Sequence, residues 1–141
     1  MNVSLDGFMS GPGGELDWHF PFWNDEMAAC AGEQLGTMDT ILVGRRTYEL
    51  MAGYWPWATP CHFSDLMNSR AKVVVSSTLK NSLWNNTSII NNNITREIRR
   101  LKHQQGKNII VFGSRCLVNE LIKMQVVDEY RIWVHPVVLG S

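Results

Sequence analysis

The 141-residue sequence has only three cysteines, Cys30, Cys61 and Cys116, widely spaced and in no CxxC pair, which argues against a disulfide framework and against a zinc site. That usage fits a reducing compartment. No basic segment followed by an apolar h-region opens the sequence, so a cytoplasmic protein is expected. No run approaches the roughly 18 apolar residues that would span a bilayer. Net charge is also missing, since Lys plus Arg and Asp plus Glu each number 13. Basic residues gather only at Arg96, Arg99, Arg100 and Lys102, so neither nucleic acid nor an anionic membrane is an expected partner. The four histidines, His19, His62, His103 and His135, form no i, i+4 pair and have no cysteine at ligand spacing, so no metal is expected. GxGxxG, P-loop, GxSxG and HExxH patterns are all absent, which argues against the chemistries they carry.

What is present is a globular composition, 45% hydrophobic and 18% charged, in a length that suits one domain over residues 1–141. Met1 to Met9 alternates as a strand does, and the cluster Ser10-Gly11-Pro12-Gly13-Gly14 ends it. Asn24 is placed to cap a helix whose first turn holds Asp25 and Glu26, with Met27, Cys30, Ala31 and Leu35 at helical spacing. Thr40 to Val43 reads as a strand leading at once into a helix over Arg45 to Met51, and Tyr54 to His62 reads as a loop. Ser64-Asp65 caps a short helical turn. Ala71 to Val75 is β-branched and apolar, hence a buried strand. Ile94, Ile98 and Leu101 mark a helix capped by Asn91 to Asn93, Asn108 to Phe112 a strand, and Leu117, Val118, Leu121 and Ile122 the buried face of a further helix. Asp128 to Leu139 reads as a long strand interrupted by Pro136. Strands alternating with helices of about 10 residues imply an α/β fold built on a mainly parallel sheet.

Three junctions share one design, an apolar strand ending in Gly or Ser and turning directly into a helix or loop: Val43-Gly44-Arg45-Arg46-Thr47, Val75-Ser76-Ser77-Thr78 and Phe112-Gly113-Ser114-Arg115. In a parallel sheet all three open on the carboxyl edge, where such folds bind ligands. Gly admits close approach of a phosphate, helix N-termini favour anions, and Arg45, Arg46 and Arg115 add forked positive donors. Strand-to-helix turns recruit Gly for conformational reasons too, but three together suit a dinucleotide. Six tryptophans, with Trp18, Trp23, Trp55 and Trp57 in or beside loops, serve either as core or as an aromatic wall for a heterocyclic substrate.

Taken in order, Ser4-Leu5-Asp6-Gly7, Leu16-Asp17-Trp18, Val43-Gly44-Arg45-Arg46-Thr47-Tyr48-Glu49, Val74-Val75-Ser76-Ser77-Thr78-Leu79, Val111-Phe112-Gly113-Ser114, Val127-Asp128-Glu129-Tyr130 and His135-Pro136-Val137-Val138-Leu139-Gly140 resemble the dihydrofolate-reductase-like superfamily. In particular they are similar to the reductase domain of the bifunctional riboflavin-biosynthesis deaminase–reductase. The resemblance implies a three-layer α/β/α fold with a mainly parallel, mixed central sheet. It implies NADPH as cofactor, with Gly44, Arg45, Arg46 and Thr47 at the phosphates, Ser76 and Ser77 near the adenosine end, and Gly113 and Ser114 along the pyrophosphate.

It also implies hydride transfer to a C=N or C=O carbon of a small heterocycle, as in 5-amino-6-(5-phosphoribosylamino)uracil reductase, with Ser4, Asp6 and Trp18 at the substrate. Asp25 or Glu26 is the natural proton donor, although an acidic first turn also answers the helix dipole. The sequence departs from riboflavin-pathway reductases at Phe8, where they carry Lys, at Phe112, where they carry an acidic residue, and at Tyr48-Glu49-Leu50-Met51, where they carry an Asp-containing loop. A dihydrofolate reductase and a non-catalytic nucleotide-binding protein are the alternative readings. An open apolar C-terminal strand makes a homodimer the expected assembly.

Overall fold

The computed structural model describes residues 1–140, which fall into two compact units, unit 1 comprising residues 1–30 with 127–140 and unit 2 comprising residues 31–126. Every strand pairing among the described residues is parallel, as strands joined by helices require.

Unit 2 holds a four-stranded sheet of β2 (Met38–Gly44), β3 (Ala71–Val75), β4 (Thr87–Ile90) and β5 (Asn108–Val111), in the order β4-β3-β2-β5. Between them run α2 (Arg45–Tyr54), a single 3-10 turn over Trp55–Trp57, α3 (His62–Ser69) and α4 (Ile94–Lys102), and α5 (Arg115–Lys123) follows β5. The central β2 is apolar because it is covered on both faces, with Ile41, Leu42 and Val43 all buried. The core adds Leu35, Tyr48, Met67, Val74 and Trp84. β3 occupies the residues its β-branched run predicts. β4 went unforeseen: it is four residues flanked by asparagines, entered through Asn86 at φ 54 and left before Asn93 at φ 46, left-handed positions that asparagine tolerates. The anticipated apolar face of α5 is narrower than its sequence implies. Leu117 and Leu121 are buried, but Ile122 lies 46% exposed, because only one stripe of a nine-residue helix meets the sheet.

Unit 1 pairs β1 (Asn2–Ser4) with β6 (Trp133–His135). A 3-10 turn covers Asp17–Phe22, and α1 (Asp25–Gly36) starts in this unit and continues into the other. Asn24 caps α1 as expected, its Oδ1 accepting from the Met27 N–H at 2.9 Å. Both long strands anticipated here are short. β1 stops at Ser4 because the Gly7 N–H closes a turn on the Ser4 carbonyl with Gly7 at φ +87, a conformation suited to glycine. β6 stops at His135 because Pro136 has no N–H to donate and Val137 N–H turns back to the His135 carbonyl at 2.8 Å.

Lys72, the second residue of β3, is fully buried. Its ammonium donates to the carbonyls of Met67 at 3.1 Å and Asn68 at 2.9 Å, closing the C-terminal end of α3, and lies 4.4 Å from the centre of the Trp84 ring. The Trp84 indole N–H donates to Asn68 Oδ1 at 2.8 Å, and the Trp84 amide to the Tyr48 hydroxyl at 3.2 Å. Helix dipole, carbonyls and ring face all favour a cation there, yet desolvation lowers the ammonium to about 8. Since the unfolded chain then binds more protons than the native one from about pH 8 to 10.4, stability rises across that window. We expect the wild type to gain on the order of 3 kcal/mol relative to Lys72→Met when urea unfolding is followed from pH 7.5 to 10.5.

Candidate functional site

The carboxyl ends of β3, β2 and β5 lie side by side, because Gly44 pairs with Val75 and Leu42 with Val111 in register. All three Gly/Ser corners therefore open on one edge of one sheet. The first and third are joined. The Ser114 hydroxyl accepts from the Gly44 N–H at 2.9 Å and donates to Thr47 Oγ1 at 2.8 Å. Gly113 and Ser114 both sit in the left-handed region, at φ 52 and φ 60, and this back-to-back geometry turns β5 into α5 while pointing the Ser114 hydroxyl at β2. A Cβ on residue 44 would lie in van der Waals contact with Ser114, 3.4 Å from its Oγ.

Helices α2 and α5 start at these joined corners, and neither has a side-chain cap or an acidic residue in its first turn. Both open on arginine instead, Arg45-Arg46 and Arg115. Cations at a helix N-terminus oppose the dipole, so this arrangement is poor for an isolated helix and good for an anion held between N–H groups and guanidinium forks. Arg45 is partly neutralised by Glu49 at 3.1 Å. Arg46 and Arg115 have no carboxylate partner among the described residues.

The second corner behaves differently. Ser76 is buried, and its hydroxyl accepts from the Thr78 and Leu79 amides at 3.2 and 2.9 Å, while its own N–H donates to Ile90. Its side chain builds the turn, and exposed Ser77 is the residue of the pair left open to solvent.

The remaining expected site residues belong to unit 1. Ser4 is buried, and its hydroxyl donates to Asp6 Oδ1 at 2.6 Å. Asp6 also accepts from the Leu139 and Gly140 amides at 3.2 and 2.8 Å. The Ser4 hydroxyl foremost, with those amides, lowers the Asp6 carboxyl to about 2. Both residues thus fasten the segment after β6. Asp25 and Glu26 are exposed in the first turn of α1. The Trp18 indole N–H is buried without an acceptor, and its ring stands edge-on to His19 and His135 at 5.3 and 5.5 Å. The histidines, scattered in sequence, are not all scattered in space. His19 and His135 stack at 5.5 Å with Asn2 bridging their Nε2 atoms. Nothing local announces this, because Asn2 and His135 stand 133 residues apart. Among the described residues no three His, Cys, Asp or Glu side chains gather as a metal site, and no helix is long and apolar enough to cross a membrane.

Removing the hydroxyl that joins the corners strands a backbone donor. Ser114→Ala is expected to lower unfolding free energy by about 1–3 kcal/mol in urea titration, and Thr47→Val by less, since it leaves the Gly44 N–H satisfied.

The family model for the RibD C-terminal domain matches residues 1–141. The chain is 37% identical over 143 residues to "Uncharacterized protein YyaP" of Bacillus subtilis (strain 168), covering 99% of this chain and 73% of that protein. It is 30% identical over 142 residues to "Uncharacterized protein YwjB" of the same organism, covering 99% and 75%. A solved structure titled as a "Putative riboflavin biosynthesis protein" from Shewanella sp. PV-4 superposes with a TM-score of 0.75 at 20% identity, covering all of this chain and 77% of that one. That likeness shows the α/β fold expected from the sequence. The chain belongs to the family of the RibD C-terminal domain, a reductase-like family.

Proposed function

We propose that the chain is an NADPH-dependent reductase acting on a C=N or C=O bond of a small heterocyclic substrate. The observation that carries this reading is the pair of adjoining, uncapped helix N-termini, each opening on arginine and tied together by Ser114. Their donors fit a ligand bearing several phosphates. Gly44, Arg45, Arg46 and Thr47 would hold one end of it, Gly113 and Ser114 the pyrophosphate, and Ser77, with the turn that Ser76 builds, the adenosine end with its 2′-phosphate. When bound, NADPH supplies hydride. The chain's own contribution at this edge would be the uncapped N–H groups at the starts of α2 and α5 and the guanidinium forks of Arg46 and Arg115, with Arg45 leaving its pairing to Glu49 to join them.

For the substrate, Trp18 is the favoured contact, because Ser4 and Asp6 already spend their hydrogen bonds within the protein. Asp25 or Glu26 would supply the proton. The riboflavin-pathway intermediate 5-amino-6-(5-phosphoribosylamino)uracil is the reference substrate, with dihydrofolate the alternative. A nucleotide-binding protein without chemistry is the second reading, and the exposure of Asp25 and Glu26 in an ordinary helix turn is what favours it.

Titration followed by tryptophan fluorescence tests the nucleotide. Quenching by NADPH at concentrations at least about tenfold below those needed for NADH is expected, and Arg46→Ala should weaken NADPH about 10- to 100-fold through loss of a charge-assisted hydrogen bond. Binding of neither nucleotide overturns the reading.

We also propose a homodimer in the cytoplasm. A two-stranded sheet is marginal alone, and β6 with its flanks leaves Ile132, Val134 and Val138 more than half exposed, at 52%, 62% and 69%. Light scattering should give twice the chain mass, and Val134→Lys should reduce it to one.

A further inference from the structure

Asn2 on β1, His19 on the Asp17–Phe22 turn and His135 on β6 form a cluster that the nucleotide reading does not use. The Asn2 amide lies between two imidazoles, its Nδ2 3.2 Å from His19 Nε2 and its Oδ1 3.0 Å from His135 Nε2. An amide nitrogen only donates and an amide oxygen only accepts. Hence His19 Nε2 presents a lone pair, which leaves its proton on Nδ1, and His135 Nε2 carries a hydrogen. Turning the amide over exchanges the two roles and leaves the count unchanged, with one ring donating and the other accepting. Both bonds survive only while at most one ring is an imidazolium. The rings are stacked at 5.5 Å and 28°, so two charges would also face each other.

The surroundings offer no compensation. Half-buried His19 meets the Trp18 and Phe20 rings, at 5.3 and 4.9 Å between ring centres, and His135 meets Trp18 and Phe22, at 5.5 and 6.2 Å. His135 is buried, and the His19 Nδ1 atom is buried without a partner. The charged groups on the elements packed here are engaged elsewhere or solvated. Asp17 is exposed at the start of the turn, Asp6 is bound to Ser4 and the Leu139 and Gly140 amides, Arg131 pairs with Glu129 at 2.6 Å, and the Met1 ammonium donates to the Arg131 carbonyl. Burial first, and then His135, hold the His19 imidazole below its ordinary range.

We propose that Asn2, His19 and His135 form a one-proton latch that fastens the Trp18-bearing turn to the β1–β6 pair at neutral pH and releases it on acidification. The sign follows from the lowered His19. A released or unfolded turn takes up protons at about 6.5, the latched one only at lower pH. The latch is therefore intact above about 6.5 and weakens as pH falls towards the latched value. Each unit separating the two values corresponds to a tenfold loss of latched over released form.

NMR of the full chain labelled with 15N tests this. At pH 8 the rings of His19 and His135 should hold opposite tautomers, one protonated at Nε2 and the other at Nδ1. Between pH 8 and 5 the nuclear Overhauser contacts between the Trp18 and His135 rings should be lost with a midpoint below about 6.5. Asn2→Asp, whose carboxylate accepts from both rings even when both are imidazolium, should keep those contacts down to about pH 5. His19→Phe, which keeps the stacking and removes the ring whose protonation breaks the bond, should keep them as well. The same tautomer on both rings, contacts that persist to pH 5 in the wild type, or their loss in either variant that folds, overturns the latch.

Discussion

Three hydrogen-bonding groups, the Gly44 amide and the hydroxyls of Ser114 and Thr47, set the geometry on which the candidate nucleotide edge depends. They convert two separate strand ends into one continuous rim. The contact exists because β5 pairs directly with β2 in parallel, so that a residue just past the end of one strand reaches the end of the other. Its local condition is unusual: Gly113 and Ser114 in succession adopt left-handed backbone. Serine lacks glycine's freedom there, and the conformation is maintained by the bonds its hydroxyl makes, which favour a polar residue over a larger one. The arginines that begin α2 and α5 are unfavourable to those helices in isolation. Local cost at a site whose surroundings are otherwise well formed is a common mark of function, which is the ground on which an anion is proposed there.

Beneath that rim the core carries a second polar construction that is purely structural. Lys72 closes α3, Asn68 is shared between Lys72, Trp84 and the Trp55 carbonyl, and Tyr48 receives the Trp84 amide. A buried lysine is expensive unless its three donors and its charge are answered. Two carbonyls and a ring face answer them here. The network ties α2, the 3-10 turn, α3 and β3 together, so the helix that starts at Gly44 is held at its far end as well. Rigidity at the rim therefore rests on packing several residues away.

Much of this was legible in the sequence, and the reasons for the rest are physical. Strands whose apolar runs are β-branched and end in Gly or Ser, such as Ala71–Val75 and the run ending at Gly44, were readable because local chemistry alone terminates them. Part of the family resemblance was readable for the same cause, since three of its blocks, Val43–Glu49, Val74–Leu79 and Val111–Ser114, contain such terminations. β6 was overextended because alternation in Tyr130 to Leu139 reports apolar faces, whereas strand length is decided by a partner, and β1 offers three residues. Lys72 was hidden inside an apolar run, since nothing in composition distinguishes a solvated lysine on an edge from a buried one under a tryptophan. The His19–Asn2–His135 cluster arises only from parallel pairing of the two ends of the chain. Ser4 and Asp6 were legible as a motif, but their hydrogen bonds serve the segment after β6. Asp25 and Glu26 gained nothing from the fold beyond their place at a helix start.

The departures at Phe8 and Phe112 bear on the proposed substrate, whereas the uncapped starts of α2 and α5, with Arg46 and Arg115 unpaired among the described residues, bear on the proposed nucleotide. The two proposals thus rest on different residues, and the nucleotide proposal is the one on which a reductase reading depends. The most direct measurement is a map of amide chemical-shift changes in the 15N-labelled protein on adding NADPH. The largest shifts should fall on Gly44 to Thr47, Ser77 to Thr78 and Gly113 to Cys116, along the carboxyl edge of β2, β3 and β5. Shifts confined to other strand ends, or none at saturating NADPH, would contradict the nucleotide edge.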